Sequence, residues 1–346
     1  MKLTVRKLSC GIWAVSLVMA MLFTGNRVVG AVSSGAPPEF TPAPEKNETV
    51  SAMKEEKTPV KSRMRPEPTQ PTAPADHRPE RLASAAADMQ AGSIFVYDGA
   101  MQKMLCCAGE ATEKLYPASI TKLFSAWVAL QHLDPEAVIT AGDELEMVRP
   151  GSSTAYIRRG CRLTVRMLVE GMLIPSGNDA AYVLAAAAGR AVAGDENLDG
   201  KAAVAVFVEE MNREAEELGL LNSHFENPDG YHHEDHYSCP EDVARIGLLA
   251  LQEPMIAGFA GLQQDSVVFE SGQWITWYST NALLDPDSKY YTPLAVGLKT
   301  GYTGEAGYCL LAAFETQSGY LLVGIFDAES KDSRYADALT LLRICQ

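Results

Sequence analysis

The sequence predicts a mixed α/β (α+β) fold, in which an antiparallel sheet built from the N- and C-terminal segments of the folded region packs with a helical subdomain. Two observations predict it. Segments rich in β-branched and aromatic residues stand at both ends of the folded region, and alanine-rich segments with apolar residues at helical spacing fill its middle. Hydrophobic residues make up 47% of the 346 residues, enough for a sizeable core.

The strands are predicted in two groups. Ser93–Tyr97 is rich in β-forming residues, the Asp98-Gly99 pair is a hairpin signal, and Lys103–Cys107 is the expected return strand. Near the other end, Gly307–Phe314 and Tyr320–Phe326 have the same character. The two groups are therefore expected to form one sheet.

The helices are predicted from alanine content and apolar spacing between these strand groups, with one more helix after the last strand. They are expected over Ser119–Leu130, Leu163–Gly171, Asp179–Ala188, Ala203–Leu218 and Ser333–Ile344.

The N-terminus has the pattern of an export segment. Lys2, Arg6 and Lys7 precede an apolar or small-residue run of 17 residues from Leu8 to Thr24, and small residues follow at 29–31. The run is longer than a usual signal peptide core and close to the minimum for a membrane span. Residues 1–31 are therefore expected to be a signal peptide or an N-terminal membrane anchor.

Residues 32–83 are predicted to be a disordered, proline-rich linker. Ten of the 19 prolines fall between Val32 and Arg81, among Glu, Lys, Thr and Ser, and no apolar periodicity is present. A long spacer after an apolar segment favours an anchor slightly, and a removable pro-segment is the alternative. The folded domain is predicted to cover residues 84–346.

The net charge argues against two kinds of partner, and the cysteine content argues against a fold held together by disulfides. The net charge of −15 argues against a nucleic-acid partner and against general attraction to anionic lipid. Seven cysteines in a chain of this size do not indicate a disulfide scaffold, and free buried thiols are the favoured interpretation. The sequence does not rank the pairings.

The first chemistry-bearing motif is Ser119-Ile120-Thr121-Lys122 at a predicted helix start. Residues three apart share a helix face, so a lysine amine can lie next to the serine hydroxyl and remove its proton. The same spacing occurs at Ser51–Lys54 in the linker, so the motif alone is weak.

Two further motifs follow in order. Ser176-Gly177-Asn178 precedes a predicted helix, where a hydroxyl can relay a proton and an amide can hold a peptide bond; an ordinary helix cap is the alternative. Lys299-Thr300-Gly301, followed by Tyr302, is expected on a strand, where it can bind a carboxylate; a strand end and turn is the alternative.

Together the three motifs make the sequence resemble the serine D-Ala-D-Ala carboxypeptidases, which are low-molecular-mass penicillin-binding proteins related to serine β-lactamases. The resemblance extends over about residues 84–346 and includes the surrounding residues 117–123, 173–181, 225–230 and 297–303. It implies a β-lactamase/DD-peptidase-like fold.

The resemblance implies a mechanism and a set of site residues. Lys122 would deprotonate Ser119, which attacks the penultimate D-alanine of a peptidoglycan stem peptide, and Ser176 would pass the proton to the leaving D-alanine. Asn178, Lys299, Thr300, Gly301 and Tyr302 would bind the substrate, with the oxyanion at the backbone N–H groups of Ser119 and Tyr302.

The same resemblance implies a penicillin-sensitive, exported enzyme of cell-wall maturation, secreted or tethered by its N-terminal segment. β-Lactams would act as acylating inhibitors, and neither a cofactor nor a metal is expected. The chain departs from the family in ending after the last predicted helix, so the expectation is that it has no C-terminal β domain. A His-rich stretch at 232–236 is interpreted as structural rather than metal-binding.

Three alternatives stay open. A D,D-endopeptidase acting on cross-links would use the same motifs. A β-lactamase of the class with these motifs needs a Glu-x-x-Leu-Asn context, and Glu209–Asn212 lacks it. An exported binding protein with an inactive site is the alternative from outside the enzymes.

Overall fold

A computed structural model describes residues 76–346. The expected export segment and most of the expected linker lie outside the described residues. The described elements in chain order are α1 Arg78–Ala87, β1 Ala91–Asp98, β2 Lys103–Ala108, a 3-10 turn Ala118–Ile120, α2 Thr121–His132, β3 Val138–Thr140, a 3-10 segment Asp143–Met147, β4 Arg162–Thr164, α3 Val165–Leu173, α4 Asn178–Ala193, α5 Gly200–Glu217, α6 Pro240–Gln252, α7 Pro254–Ala260, β5 Gln264–Val268, β6 Trp274–Tyr278, β7 Ala295–Thr303, β8 Gly307–Thr316, β9 Gly319–Ala328 and α8 Ser333–Cys345.

The central sheet has five antiparallel strands in the order β2-β1-β9-β8-β7. Strands from the two ends of the folded region meet where β1 pairs with β9, which confirms the predicted α/β (α+β) fold with a single sheet from both ends. β7 forms one edge of the sheet and carries the Lys299-Thr300-Gly301 motif.

Side chains alternate across this sheet and supply two cores. On β1, Phe95 and Tyr97 belong to the larger core, which includes residues of helices α2 to α7. Ile94 and Val96 belong to the second core, with residues of α1 and α8. The sheet therefore lies between a helical subdomain on one face and two terminal helices on the other.

Helix α1 corrects the predicted domain boundary at residue 84. It begins at Arg78, within the expected linker, and buries Leu82 in the second core. Pro79, one of the prolines attributed to the linker, stands in the first helical turn, where proline fits because the N–H there has no helical partner. The folded region thus reaches at least to Arg78.

Two predicted helix starts are also corrected. Ser119 lies in a 3-10 turn, and the α-helix begins two residues later at Thr121. Leu163 belongs to the short strand β4, where it pairs with Ile139 of β3, and Thr164 caps α3 by accepting the N–H of Met167.

The sequence predicts no helix or strand within residues 219–298, where the structure has α6, α7 and a β5–β6 hairpin. Within residues 76–346 no single helix has the length and hydropathy of a membrane span, although α6 and α7 meet that criterion together across a bend of 102°. The six cysteines of the described region are free thiols.

Candidate active site

A cleft of about 940 Å³ opens between the edge strand β7, the turn before α2 and the start of α4. Among its lining residues are six of the eight predicted site residues: Ser119, Ser176, Asn178, Thr300, Gly301 and Tyr302. The other two, Lys122 and Lys299, are almost fully buried. The fold thus brings three motifs separated by up to 180 residues into one region.

The serine and lysine of the first motif are in direct contact. The 3-10 turn and the start of α2 place Lys122 Nζ 2.8 Å from Ser119 Oγ. The same amine donates to the backbone carbonyl of Asp229 at 2.7 Å. A hydrogen bond between base and nucleophile is the geometry that proton abstraction requires.

Burial sets the charge state of this lysine. Lys122 is fully buried, and the loss of hydration lowers its pKa from 10.5 to about 8, although the carboxylates of Asp229 and Asp179 oppose the change. A substantial fraction of the amine is therefore neutral near physiological pH, as a general base must be.

The second motif lines the cleft from the start of α4. Ser176 is buried and adopts a left-handed backbone with φ 64°, and Asn178 is the first residue of the helix. The backbone N–H of Asn178 donates to the carbonyl of Ser153, another lining residue, at 2.8 Å. The following Asp179 accepts the N–H groups of Ala155 and Ile157, which fixes this wall of the cleft.

The third motif lies on the edge strand β7. Thr300 lines the cleft, and its hydroxyl lies 2.5 Å from that of Thr280. Lys299 is buried and donates to the carbonyl of Thr300 at 3.1 Å. Burial lowers the pKa of Lys299 well below its usual value, and the positive charges of Lys122 and Arg334 add to this effect.

Close packing of β7 on the turn that contains Ser119 requires a glycine at position 301. A Cβ at this position would lie 2.9 Å from Ala118 Cβ and 3.0 Å from Ser119 N. The next residue, Tyr302, is 59% exposed and its ring packs 4.6 Å from that of Tyr308. The absence of a side chain at Gly301 therefore places β7 directly beside Ser119.

The structure adds two residues that the site prediction omits. Asp229 supplies the carbonyl that holds Lys122; it lies within the stretch 225–230, whose likeness to the family was the signal that could have found it. Arg334 of α8 lines the cleft and donates to the carbonyls of Gly301 and Cys309 at 3.1 and 2.9 Å. Nothing in the sequence around Arg334 indicates that this arginine belongs to the site.

Gly230 explains why the Asp229 loop can approach the nucleophile. With φ 80°, it stands where a Cβ would lie 1.9 Å from the carbonyl oxygen of Ala118. The loop backbone therefore packs against the turn that contains Ser119.

The His-rich stretch supports this loop through one buried ring. His236 Nδ1 accepts the N–H of Glu226 at 3.1 Å, so Nε2 carries the proton and donates to Thr121 Oγ1 at 2.9 Å. Burial lowers the pKa of His236 to about 3, so the ring is neutral. His236 is thus a structural residue, as the sequence predicts.

Two groups of side chains have the spacing of metal ligands within the described region. The ligand atoms of Glu226, His233 and Asp235 lie within 4.8 Å of one another on the exposed surface. The other group is His132, Glu210 and Glu214, in which Arg213 already pairs with both carboxylates. Glu210, from the stretch compared with β-lactamases, is thereby held in an ion-pair cluster outside the cleft lining.

Comparison with known proteins decides the family. A family model described as D-alanyl-D-alanine carboxypeptidase matches residues 80–330. The chain belongs to this family.

Relatives within the D-alanyl-D-alanine carboxypeptidase family are identical to this chain at about a third of the aligned positions. D-alanyl-D-alanine carboxypeptidase DacF of Bacillus subtilis is 32% identical over 236 residues, 67% of this chain and 56% of that protein. The D-alanyl-D-alanine carboxypeptidase of a Streptomyces species is 32% identical over 65% of this chain and 76% of that protein. The chain therefore spans little more than half the length of the Bacillus relative.

Solved structures of family members share the fold. The DD-transpeptidase of Streptomyces K15 superposes with a TM-score of 0.66 and 28% identity, covering 74% of this chain and 97% of that one. Penicillin binding protein 6B of Escherichia coli gives a TM-score of 0.61 with 29% identity, covering 74% and 77%. The β-lactamase/DD-peptidase-like fold expected from the sequence is confirmed.

Proposed function

We propose that this protein removes the terminal D-alanine from peptidoglycan pentapeptide stems by way of an acyl-enzyme at Ser119. The observation that carries the proposal is the 2.8 Å hydrogen bond from the buried amine of Lys122 to Ser119 Oγ, at the base of a cleft lined by the other motifs. Membership of the D-alanyl-D-alanine carboxypeptidase family supports the choice of substrate.

In the proposed acylation step, neutral Lys122 takes the proton of Ser119 as the oxygen attacks the carbonyl carbon of the penultimate D-alanine. The C–N bond to the terminal D-alanine then breaks, and its nitrogen receives a proton through Ser176. The backbone N–H groups of Ser119 and Tyr302 stabilise the oxyanion. Water completes the cycle by hydrolysing the ester.

We assign substrate binding to the wall of the cleft that β7 forms. Thr300 and the cation Arg334 line the cleft at the β7 edge of the sheet, and the amine of Lys299 is buried beside Thr300. We assign the terminal carboxylate of the substrate to this region, because a carboxylate is favoured near hydroxyl donors and cations. Gly301 and Asn178 position the peptide backbone, and β-lactams would acylate Ser119 by the same route.

A second candidate differs only in what attacks the acyl-enzyme. One structure of similar fold is described as a DD-transpeptidase, so transfer of the acyl group to an amine should be tested beside hydrolysis.

A D,D-endopeptidase differs in its substrate: it would cleave the same type of bond within a cross-link.

We further propose an extracytoplasmic location, since the substrate is a wall polymer. Residues 1–31 would direct export or anchor the chain, and the linker would end before α1 at Arg78. Membrane contact, where present, is assigned to the N-terminal segment.

The test combines labelling with product analysis. A fluorescent penicillin should label the wild type and leave Ser119→Ala unlabelled. Mass spectrometry of a pentapeptide-bearing muropeptide should show loss of one alanine; a split dimer would indicate endopeptidase action, and an amine adduct would indicate transfer. A wild-type protein that takes no label and leaves the muropeptide intact would contradict the proposal.

A further inference from the structure

The β5–β6 hairpin presents an uncharged, partly aromatic face to solvent. Strand alternation and the pairing of Val268 with Trp274 and of Gln264 with Tyr278 put these four residues on one face. Ser266 and Thr276 complete it, with their hydroxyls 2.8 Å apart. Trp274 is 71% exposed, and Val268 and Tyr278 are each 62% exposed. We refer to these six residues as the hairpin face.

The opposite face of the hairpin fixes it to the domain. Val267 and Trp277 are buried in the larger core. The indole N–H of Trp277 donates to the carbonyl of Ala155 at 3.1 Å. The backbone of the hairpin is therefore fixed to the domain, which reduces what must be ordered when the exposed rings bind a partner.

The hairpin face is continuous with the cleft. Immediately after Tyr278, the chain enters Ser279 and Thr280, which line the cleft, and the Thr280 hydroxyl contacts that of Thr300. Trp274 lies four residues farther out along the strand, which corresponds to about 13 Å from Tyr278. Two exposed aromatic rings thus lead outward from the rim of the cleft.

The hairpin face carries no charged side chain. The six side chains are aromatic, aliphatic, hydroxyl or amide groups, in a chain whose net charge is −15. A polyanion or an anionic lipid surface would find no cation on this face, whereas a neutral partner rich in hydroxyl and amide groups would match it.

We propose that the hairpin face binds the glycan backbone of the polymer whose stem peptide occupies the cleft. This inference rests on the proposed function, because it takes the stem peptide as substrate. A five-residue stem spans at most about 17 Å, so the sugar chain that carries it must pass close to the rim. Tyr278, two residues before the cleft residue Thr280, marks the end of the hairpin face nearest to the cleft. Aromatic rings can pack against the apolar faces of sugar rings while Gln264, Ser266 and Thr276 bond their polar groups.

The test separates binding of the polymer from chemistry at Ser119. Trp274→Ala/Tyr278→Ala should keep the wild-type kcat/KM on a soluble peptide ending in D-Ala-D-Ala. Its affinity for intact peptidoglycan sacculi should fall by roughly tenfold or more, the effect expected on truncating anchoring aromatic residues. The same loss should appear as a higher KM on the polymer with little change in kcat.

Two control variants test whether a loss of binding to sacculi is specific to the aromatic rings of the hairpin face. Leu221→Ala/Tyr320→Ala removes two exposed apolar side chains at other places on the surface and should bind sacculi like the wild type. Trp274→Phe/Tyr278→Phe keeps the ring faces and should retain most of the affinity. Thermal unfolding should show that all variants fold, since none of the substituted side chains is buried and the least exposed, Tyr320, is 39% exposed.

A direct probe is titration with neutral N-acetylglucosamine oligomers, followed by tryptophan fluorescence. Saturable quenching in the wild type that disappears in Tyr278→Ala supports the inference. Unchanged binding of sacculi by the double alanine variant overturns it, as does a wild-type dimer that dissociates on the same substitution. If the soluble peptide is not cleaved but sugar binding depends on these rings, the proposed reaction fails while the glycan site stands.

Discussion

Acylation of Ser119 should follow the titration of Lys122. Only the neutral amine accepts a proton, and burial lowers its pKa from 10.5 to about 8. At pH 7 the neutral fraction is then about one in eleven, against about one in three thousand for an ordinary lysine, a gain of roughly 300-fold. The acylation rate should therefore rise with pH and level off above about pH 8.

The perturbation that tests this reasoning is Asp229→Asn. The carboxylate of Asp229 raises the pKa of Lys122, so its replacement by a neutral amide of the same shape should move the inflection below pH 8. The backbone carbonyl that binds the amine is retained, so the Lys122–Ser119 contact should persist. At acidic pH the variant should be acylated faster than the wild type.

The assay is the second-order rate of labelling by a fluorescent penicillin from about pH 6 to about pH 10, a range that spans the expected titration. Glu226→Gln is the matched control, since it removes an acidic group from the same loop that does not contribute to the Lys122 pKa. A wild-type rate with no inflection in this range, or an Asp229→Asn profile that superposes on the control, would refute the role given to Lys122.

Three further changes test other parts of the structure. Gly230→Ala should slow penicillin labelling severely and lower the melting temperature, because the new Cβ would overlap the carbonyl of Ala118; a variant that labels at the wild-type rate would contradict this packing. Burial and the nearby Asp265 raise the pKa of the Glu170 carboxyl from 4.5 to about 8. Between these two pH values the folded state keeps a proton that the unfolded state loses. The free energy of unfolding therefore falls as the pH rises from 4.5 to about 8. Glu170→Gln should therefore become a few kcal/mol more stable than the wild type toward pH 8, measured by urea unfolding, and a pH-independent difference would exclude this effect. Thr121→Val should cost about 1–3 kcal/mol in the same assay, because it leaves the buried N–H of His236 without an acceptor; no loss would show that this bond is dispensable.

The strands and the site motifs were the most predictable parts of the structure. β1, β2, β8 and β9 follow local composition and turn residues, which depend little on distant contacts. The three motifs were found because their order and surroundings matched a family. The contact of Ser119 with Lys122 also follows from spacing, since residues three apart share one side of a helical turn.

Other features depend on distant parts of the chain. Arg334 is indistinguishable from a surface arginine in the sequence, and only the packing of α8 on the sheet brings it to Gly301. The sequence predicts that Lys299 binds a carboxylate, and only the packed sheet shows that its amine is buried and bonded to the carbonyl of Thr300. The boundary near residue 84 was wrong because Pro79 has the same composition signal in a linker and in a first helical turn.

The order of strands in the central sheet has a consequence for biosynthesis. The nucleophile turn is made early, but the strand beside it and Arg334 come from the last fifth of the chain, after about 180 intervening residues. A partly synthesised chain therefore holds Ser119 without Tyr302, the proposed oxyanion donor, and without Arg334. We therefore expect reactivity toward penicillin to appear only when the sheet is complete, so that the rate of covalent labelling would report the final step of folding.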